Sequence, residues 1–362
     1  MLATGGVISL PSVTSYVQDV RNTTRTLRAS GIGSELNLPN LQNINVSGGV
    51  GRGFNEASIL QIEALNGGVV GLSRVGQIED TSGDYDGTLI KSEGQGSLVD
   101  LSSLVNFIDN DGGSFPSFMT ANDRGQIRTP NLATLREVNV TTDGIGTIAL
   151  SNVHTWNNSI LTVSSIDFSL PNLTTFQAGR ITVNADASLS MPLLTTIESS
   201  VLTLADGGNV EVPILENINR ASILVGSGVP LTLPLITSYV QDVRNTTRTL
   251  RASGIGSELN LPNLRNINVS GGVGRGFNEA SILQIEALNG GVVGLSRVGQ
   301  IEDTSGDYDG TLIKSEGQGS LVDLSSLVNF IDNDGGSFPS FMTANDRGQI
   351  RTLISRPYVK LM

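Results

Sequence analysis

The sequence predicts an all-β chain folded as a right-handed parallel β-helix, a β-solenoid of about thirteen coils. Three observations carry that expectation. Four prolines, Pro171, Pro192, Pro213 and Pro234, follow one another at intervals of 21 residues, within the range of repeat architectures. Around each proline, apolar and polar residues alternate, the pattern of a half-buried strand. No segment carries the run of about ten residues with 3.6-residue periodicity that a helix requires.

With the proline as position zero, the coil around Pro192 places Ile181, Val183, Leu189 and Met191 before it and Leu194 and Ile197 after it, at +2 and +5. The coils around Pro213 and Pro234 repeat this with Leu215 and Ile218, and with Ile236 and Tyr239. Each coil therefore has two or three short strand-like runs divided by Gly, Asn, Asp or Ser corners. One coil cannot bury its own inner face. Stacking in parallel register buries a continuous core and pairs each backbone with its neighbours.

The frame runs along the chain once serine is admitted at the zero position: Pro11, Pro39, Ser73, Ser102, Pro130, Ser151, Pro171, Pro192, Pro213, Pro234, Pro262, Ser296 and Ser325. Every one is followed by an apolar residue at +2 (Val13, Leu41 and onward to Leu327) and at +5 (Tyr16, Ile44 and onward to Phe330). At about 4.8 Å per coil, thirteen coils predict a stack of roughly 60 Å. The core of such a fold grows in one dimension, so 362 residues are read as one continuous solenoid rather than two globular domains.

Taken in order, the chain starts inside a coil at Met1 and shows neither a signal peptide nor a polar cap. It is read as a fragment of a longer array whose neighbouring coils would be its first partners. The next four coils are long, with steps of 28, 34, 29 and 28 residues. Their extra length falls after +5, in Val17 to Thr24, Asn45 to Ser58, Glu79 to Gly87 and Asp109 to Phe115. These polar, Gly-rich stretches are expected to be surface loops on one ridge, a common binding side of solenoids. From Pro130 to Pro234 the steps shorten to 20 or 21 residues, and this segment, residues 130–236, is expected to be smooth. Its Trp156 falls on a +5 core position, and His154 points outward. The chain then repeats itself. Thr14–Thr129 recurs as Thr237–Thr352, and the 116 positions differ only at Gln42 against Arg265.

Composition narrows the function classes. The net charge of −12 argues against nucleic acid and anionic membranes, which select basic surfaces. Cysteine is absent, which removes disulfides and thiolate metal sites. No apolar run is long enough to span a bilayer.

The Leu-Pro-x-Leu-x-x-Ile frame, as in Leu38-Pro39-Asn40-Leu41-Gln42-Asn43-Ile44 and Leu170-Pro171-Asn172-Leu173-Thr174-Thr175-Phe176, resembles the coils of large extracellular bacterial β-solenoid repeat proteins. It is similar to leucine-rich, receptor L-domain-type coils as well. No Asn recurs at one inward position as it does in ordinary leucine-rich repeats, which favours a β-helix over a horseshoe. The resemblance covers nearly all the chain. It implies a secreted or cell-surface location and an adhesive or scaffolding role, by analogy of fold.

The candidate sites lie in the long coils. Asp80-Thr81-Ser82-Gly83-Asp84-Tyr85-Asp86-Gly87 and its copy Asp303 to Gly310 alternate oxygen donors with glycine, as a calcium site needs. Asp80, Asp84, Asp86, Asp303, Asp307 and Asp309 are the candidate Ca2+ ligands, against an ordinary Asp/Gly turn. The glycines from Gly48 to Gly53 lack the following helix that phosphate binding needs. Thr162, Thr182 and Thr203 suggest an outward threonine row that ends at Leu224, the usual place for threonine on an exposed strand. The expected function is a non-enzymatic extracellular adhesion-type repeat protein, with no catalytic residues and no organic cofactor, whose loop ridge binds a protein or glycan. The alternatives are a carbohydrate-active β-helix enzyme, a polysaccharide lyase or glycosidase, and a pure spacer.

Overall fold

A computed structural model describes residues 1–48, 57–80, 86–110, 116–165, 167–271, 280–303, 309–333 and 340–353. Among these residues there is no helix, and the sheets are parallel throughout, as a β-solenoid requires. The chain falls into two compact units. The first comprises Met1–Thr175 with Ala187–Pro192, the second Phe176–Asp186 with Leu193–Met362.

In the first unit a broad sheet is built in chain order from Leu2–Thr4, Thr23–Ser30, Ser58–Leu65, Asp86–Glu93, Ser117–Asn122, Val138–Thr142 and Ile160–Val163. A second sheet stacks Val7–Ser9, Glu35–Asn37, Val69–Gly71, Leu98–Asp100, Gln126–Arg128 and Thr147–Ile148. A third stacks Ser15–Gln18, Asn43–Val46, Gln77–Asp80, Asn106–Ile108, Thr134–Arg136 and Thr155–Asn157. Each of the first six coils thus contributes one strand to each sheet, and inward apolar residues stack on their counterparts one coil away. Leu36 lies on Val70 through the pair Leu36↔Val70, and Ile44 on Ile78.

The second unit repeats the plan. Its broad sheet runs Arg180–Val183, Val201–Leu204, Ser222–Val225, Thr246–Ser253, Ser281–Leu288, Asp309–Glu316 and Phe341–Asn345. The thirteen predicted coils are joined by a further one, Phe341–Asn345 with Gln349–Thr352, which lacks the Leu-Pro frame. Between the coils of Pro192 and Pro213 the third strand shrinks to the single bridge Thr196↔Asn217.

The proline frame has a local cause. The N–H of the +2 residue donates to the carbonyl of residue −1: Leu41 to Leu38 and Leu173 to Leu170, each at 3.2 Å. The zero residue is therefore the first central position of a β-turn, where proline's fixed φ is already correct and its missing N–H costs nothing. The turn drives the residues at −1 and +2 inward together, and Leu38, Leu41, Leu170 and Leu173 are fully buried. At +5 the core holds Ile44, Phe107, Trp156, Phe176 and Tyr239, all buried, with Trp156 Nε1 donating to the carbonyl of Val138 at 3.3 Å. His154 is exposed, as its place between two core positions predicts.

The long coils differ from the expectation in one respect. Part of the extra length is strand rather than loop. Thr23–Ser30, Ser58–Leu65 and Asp86–Glu93 each have 8 residues, against 4 in Ile160–Val163. The inserts widen the broad sheet before they leave it. Gly68 shows how tightly the corner closes: a Cβ there would lie 2.3 Å from the carbonyl oxygen of Ala29.

Candidate binding surface

The roots of the loops form a buried polar column. Gln18 Nε2 donates to the carbonyl of Thr23 at 3.0 Å, and Ser58 Oγ donates to the carbonyl of Gln18 at 3.2 Å. Asp86 is fully buried, and its Oδ1 accepts the Ser58 amide at 2.8 Å. Asp109 Oδ2 accepts both the amide and the hydroxyl of Ser117, at 2.8 and 2.7 Å. The second unit repeats the column, with Asp309 Oδ1 accepting from the Ser281 amide at 3.0 Å. Such a carboxylate satisfies backbone donors that the departing loop leaves without a strand partner.

Of the six calcium candidates, Asp80, Asp86, Asp303 and Asp309 lie in this column and are buried, while Asp84 and Asp307 lie outside the described residues. Among the described residues no group of three or more His, Asp or Glu side chains is arranged to hold a metal ion. The glycines from Gly49 to Gly53 lie outside the described residues as well.

The outer face of the broad sheet carries a second set of groups, of which the sequence alone marks only Thr162, Thr182 and Thr203. Parallel pairing brings outward residues of successive coils into rows. In the first unit one row reads Arg28, Glu63, Lys91, Thr120, Thr141 and Thr162, and its neighbour reads Thr26, Gln61, Leu89 and Phe118. In the second unit the corresponding row reads Thr182, Thr203, Leu224, Arg251, Glu286, Lys314 and Thr343. Thr203 is thus followed by Leu224, as predicted. The threonine row of the first unit is longer than the sequence reading had it, since Thr120 and Thr141 precede Thr162.

The charges do not pair simply along the row. Arg28 pairs with Glu63 across coils, whereas Lys91 turns along its own strand to Glu93, at 2.5 Å. The gap so left on the Lys91 strand is a shallow groove of about 250 Å3 lined by Gln61, Glu63, Leu89, Ile90, Lys91, Phe118 and Thr120. Leu89 and the Phe118 ring supply an apolar floor, and an amide, a carboxylate, an ammonium and a hydroxyl surround it. Gln61 is held by its Oε1, which accepts from Thr26 Oγ1 at 3.2 Å. The second unit places Gln284, Glu286, Leu312, Lys314, Phe341 and Thr343 in the same register, with the Arg251–Glu286 and Lys314–Glu316 pairs at 2.7 and 2.6 Å.

On the turn ridge the residue at +1 carries a further regularity. Asn40, Asn131, Asn152, Asn172 and Asn263 each donate through Nδ2 to the carbonyl of the zero residue one coil back: Pro11, Ser102, Pro130, Ser151 and Pro234. The asparagine ladder sought at an inward position exists at an outward one. In the second unit Leu193, Ile214 and Leu235 take that position and are exposed. At a different corner, beyond the +5 residue, Arg220 bridges Glu198, at 2.6 Å, and Asp242, which it contacts through Nε and Nη2. The guanidinium hydrogen bonds hold the Asp242 carboxyl below its ordinary range, and the same contacts raise Arg220.

Comparison of the chain with known protein families, with curated proteins and with solved structures finds no match. Among the described residues no helix is long and apolar enough to cross a membrane.

Proposed function

We propose that the chain is a non-enzymatic extracellular repeat protein of the adhesion type, a scaffold that displays the same binding surface twice. The observation that supports this is the duplication itself. Outward and loop positions recur with the core positions, and 115 of 116 residues are the same, as 116 less the single Gln42/Arg265 difference. A fold constrains its core more than its surface, so presenting one surface twice serves binding, where two weak contacts multiply through effective concentration. The buried carboxylates at the loop roots are engaged by backbone amides, a structural use. The secreted or cell-surface placement rests on the resemblance of the Leu-Pro-x-Leu-x-x-Ile coils. Calcium enters this reading only through Asp80, Asp84, Asp86 and their copies Asp303, Asp307 and Asp309. A Ca2+-specific rise in the unfolding midpoint, against Mg2+, tests it.

The decisive experiment presents the full chain to arrays of glycans and proteins and then incubates it with every polysaccharide it retains. Binding without release of shorter sugars is the expected result. Release of unsaturated or reducing-end products would make the chain a carbohydrate-active enzyme instead. Binding to nothing would leave a spacer.

A further inference from the structure

We propose that the groove over Leu89 and Phe118 is a subsite for one ring of a neutral saccharide, and that the copy over Leu312 and Phe341 is its counterpart. This rests on the reading of the chain as a non-enzymatic binder and names its ligand. It also moves the binding site from the loops to the outer face of the broad sheet.

Size is the first argument. About 250 Å3 is below the roughly 300–1,000 Å3 of pockets for drug-sized ligands and suits a single ring. Charge is the second. Glu63 and Lys91 cancel within the lining, and their partners Arg28 and Glu93 cancel again. A groove with no net charge selects neither a polyanion nor a polycation. The third argument is hydrogen-bonding capacity. Gln61 is held through its oxygen and Glu63 pairs through Oε2, which leaves the Gln61 amide hydrogens, Glu63 Oε1 and the Thr120 hydroxyl for a ligand. Donors and acceptors mixed over an apolar floor match the hydroxyls and C–H face of a pyranose. The fourth is extension. Thr141 and Thr162 continue the Thr120 row, one outward hydroxyl per strand at about 4.8 Å. In the second unit Thr343 holds the place of Thr120, beside Lys314. The first groove therefore accommodates a longer oligosaccharide running across the strands.

The test uses the full chain on an array of neutral hexasaccharides (β-1,4- and β-1,3-linked glucose, β-1,4-linked mannose) beside sulfated and uronic acid oligosaccharides, followed by calorimetry with the strongest neutral ligand and its disaccharide. A neutral hexasaccharide should bind with an affinity that salt does not change. The paired substitution Phe118→Ala and Phe341→Ala should weaken it about tenfold, and Phe118→Tyr should not. Phe118→Ala alone should reduce the preference for hexamer over dimer. Phe118 faces outward, and thermal melts check that each variant folds. Gln61→Ala with Gln284→Ala serves as the second groove variant. Retention of charged oligosaccharides alone, or neutral binding that survives both groove variants, overturns the proposal. If such binding is instead lost on deletion of residues 49–56 and 272–279, the groove fails and the binder reading stands. Release of products overturns the binder reading itself.

Discussion

Thr14–Thr129 and Thr237–Thr352 are nearly one sequence in two settings, and they do not bury the same residues. Tyr239 is fully buried, and its hydroxyl donates to the carbonyl of Ala221 at 2.8 Å. Its counterpart Tyr16 is half-buried, on the terminal strand of its sheet among the described residues. At the other end the relation reverses. Met119 and Ile127 are buried beneath Val138–Thr142 and Thr147–Ile148, while Met342 and Ile350 are partly exposed and Phe341 is 47% exposed. Between these ends the copies agree closely. In a solenoid, what a residue contributes is set by the coil above and the coil below, and only through them by its own identity.

Substitutions made in pairs would break or sharpen this comparison. The largest difference is expected for Tyr239→Ala against Tyr16→Ala. The first empties a closed site and should cost about 3–5 kcal/mol, and the second well under half of that. Matched urea midpoints would refute the context argument. Asp86→Ala and Asp309→Ala should each cost about 1–3 kcal/mol by stranding a buried amide, and the two losses should be equal, because each aspartate has the same neighbours on both sides. Tyr239→Phe should cost about 1 kcal/mol through the lost bond to Ala221, against nothing measurable for Tyr16→Phe. Burial also raises the Tyr239 phenol well above its ordinary value and Tyr16 less completely, so an alkaline titration followed by absorbance should ionise Tyr16 before Tyr239. The smallest effect belongs to Asp242, whose carboxyl Arg220 holds low. A lowered carboxylate stabilises the fold above its unfolded value, and that stability is lost as pH falls through the folded value. Acid below about pH 4 should therefore weaken the wild-type chain more than Asp242→Asn. The difference should be under about 1 kcal/mol, since the pair is partly solvated.

The coil was legible because its cause is local. A turn with proline or serine at its first central position forces Leu38 and Leu41, or Leu170 and Leu173, inward together, and that leaves a mark at fixed spacing. The alternation of Ile181 and Val183 or Leu202 and Leu204 could be read for the same reason. The groove could not be read, because Gln61, Leu89 and Phe118 stand about 28 residues apart in the chain (61, 89, 118) and meet only through register. The frame brings the register only close: Glu63 stands ten residues before Ser73 and Lys91 eleven before Ser102, so aligning the zero positions leaves the two one residue out of step. The loops drew attention instead because Asp and Gly are conspicuous, whereas an outward Gln or Thr on a strand looks like ordinary solvated surface. The asparagines at +1 leave no mark at an inward position. Their side chains work across the turn ridge, where the polar character of the position conceals that it is occupied repeatedly.

The row Arg28, Glu63, Lys91 has a consequence for how the chain finds its shape. Its signs alternate coil by coil, so a collapsed chain that skipped Ser58–Leu65 would set Arg28 against Lys91 and be repelled. The surface thus proofreads the order of assembly while the chain is still choosing neighbours. Arg251, Glu286 and Lys314 spell the same message, and the strand Ser281–Leu288 answers Arg28 as well as Ser58–Leu65 does. The proofreading recognises sequence order but not address. At high concentration a refolding chain will accept the right word from the wrong copy, its own or a neighbour's, and entangled species are the natural by-product of a surface written twice.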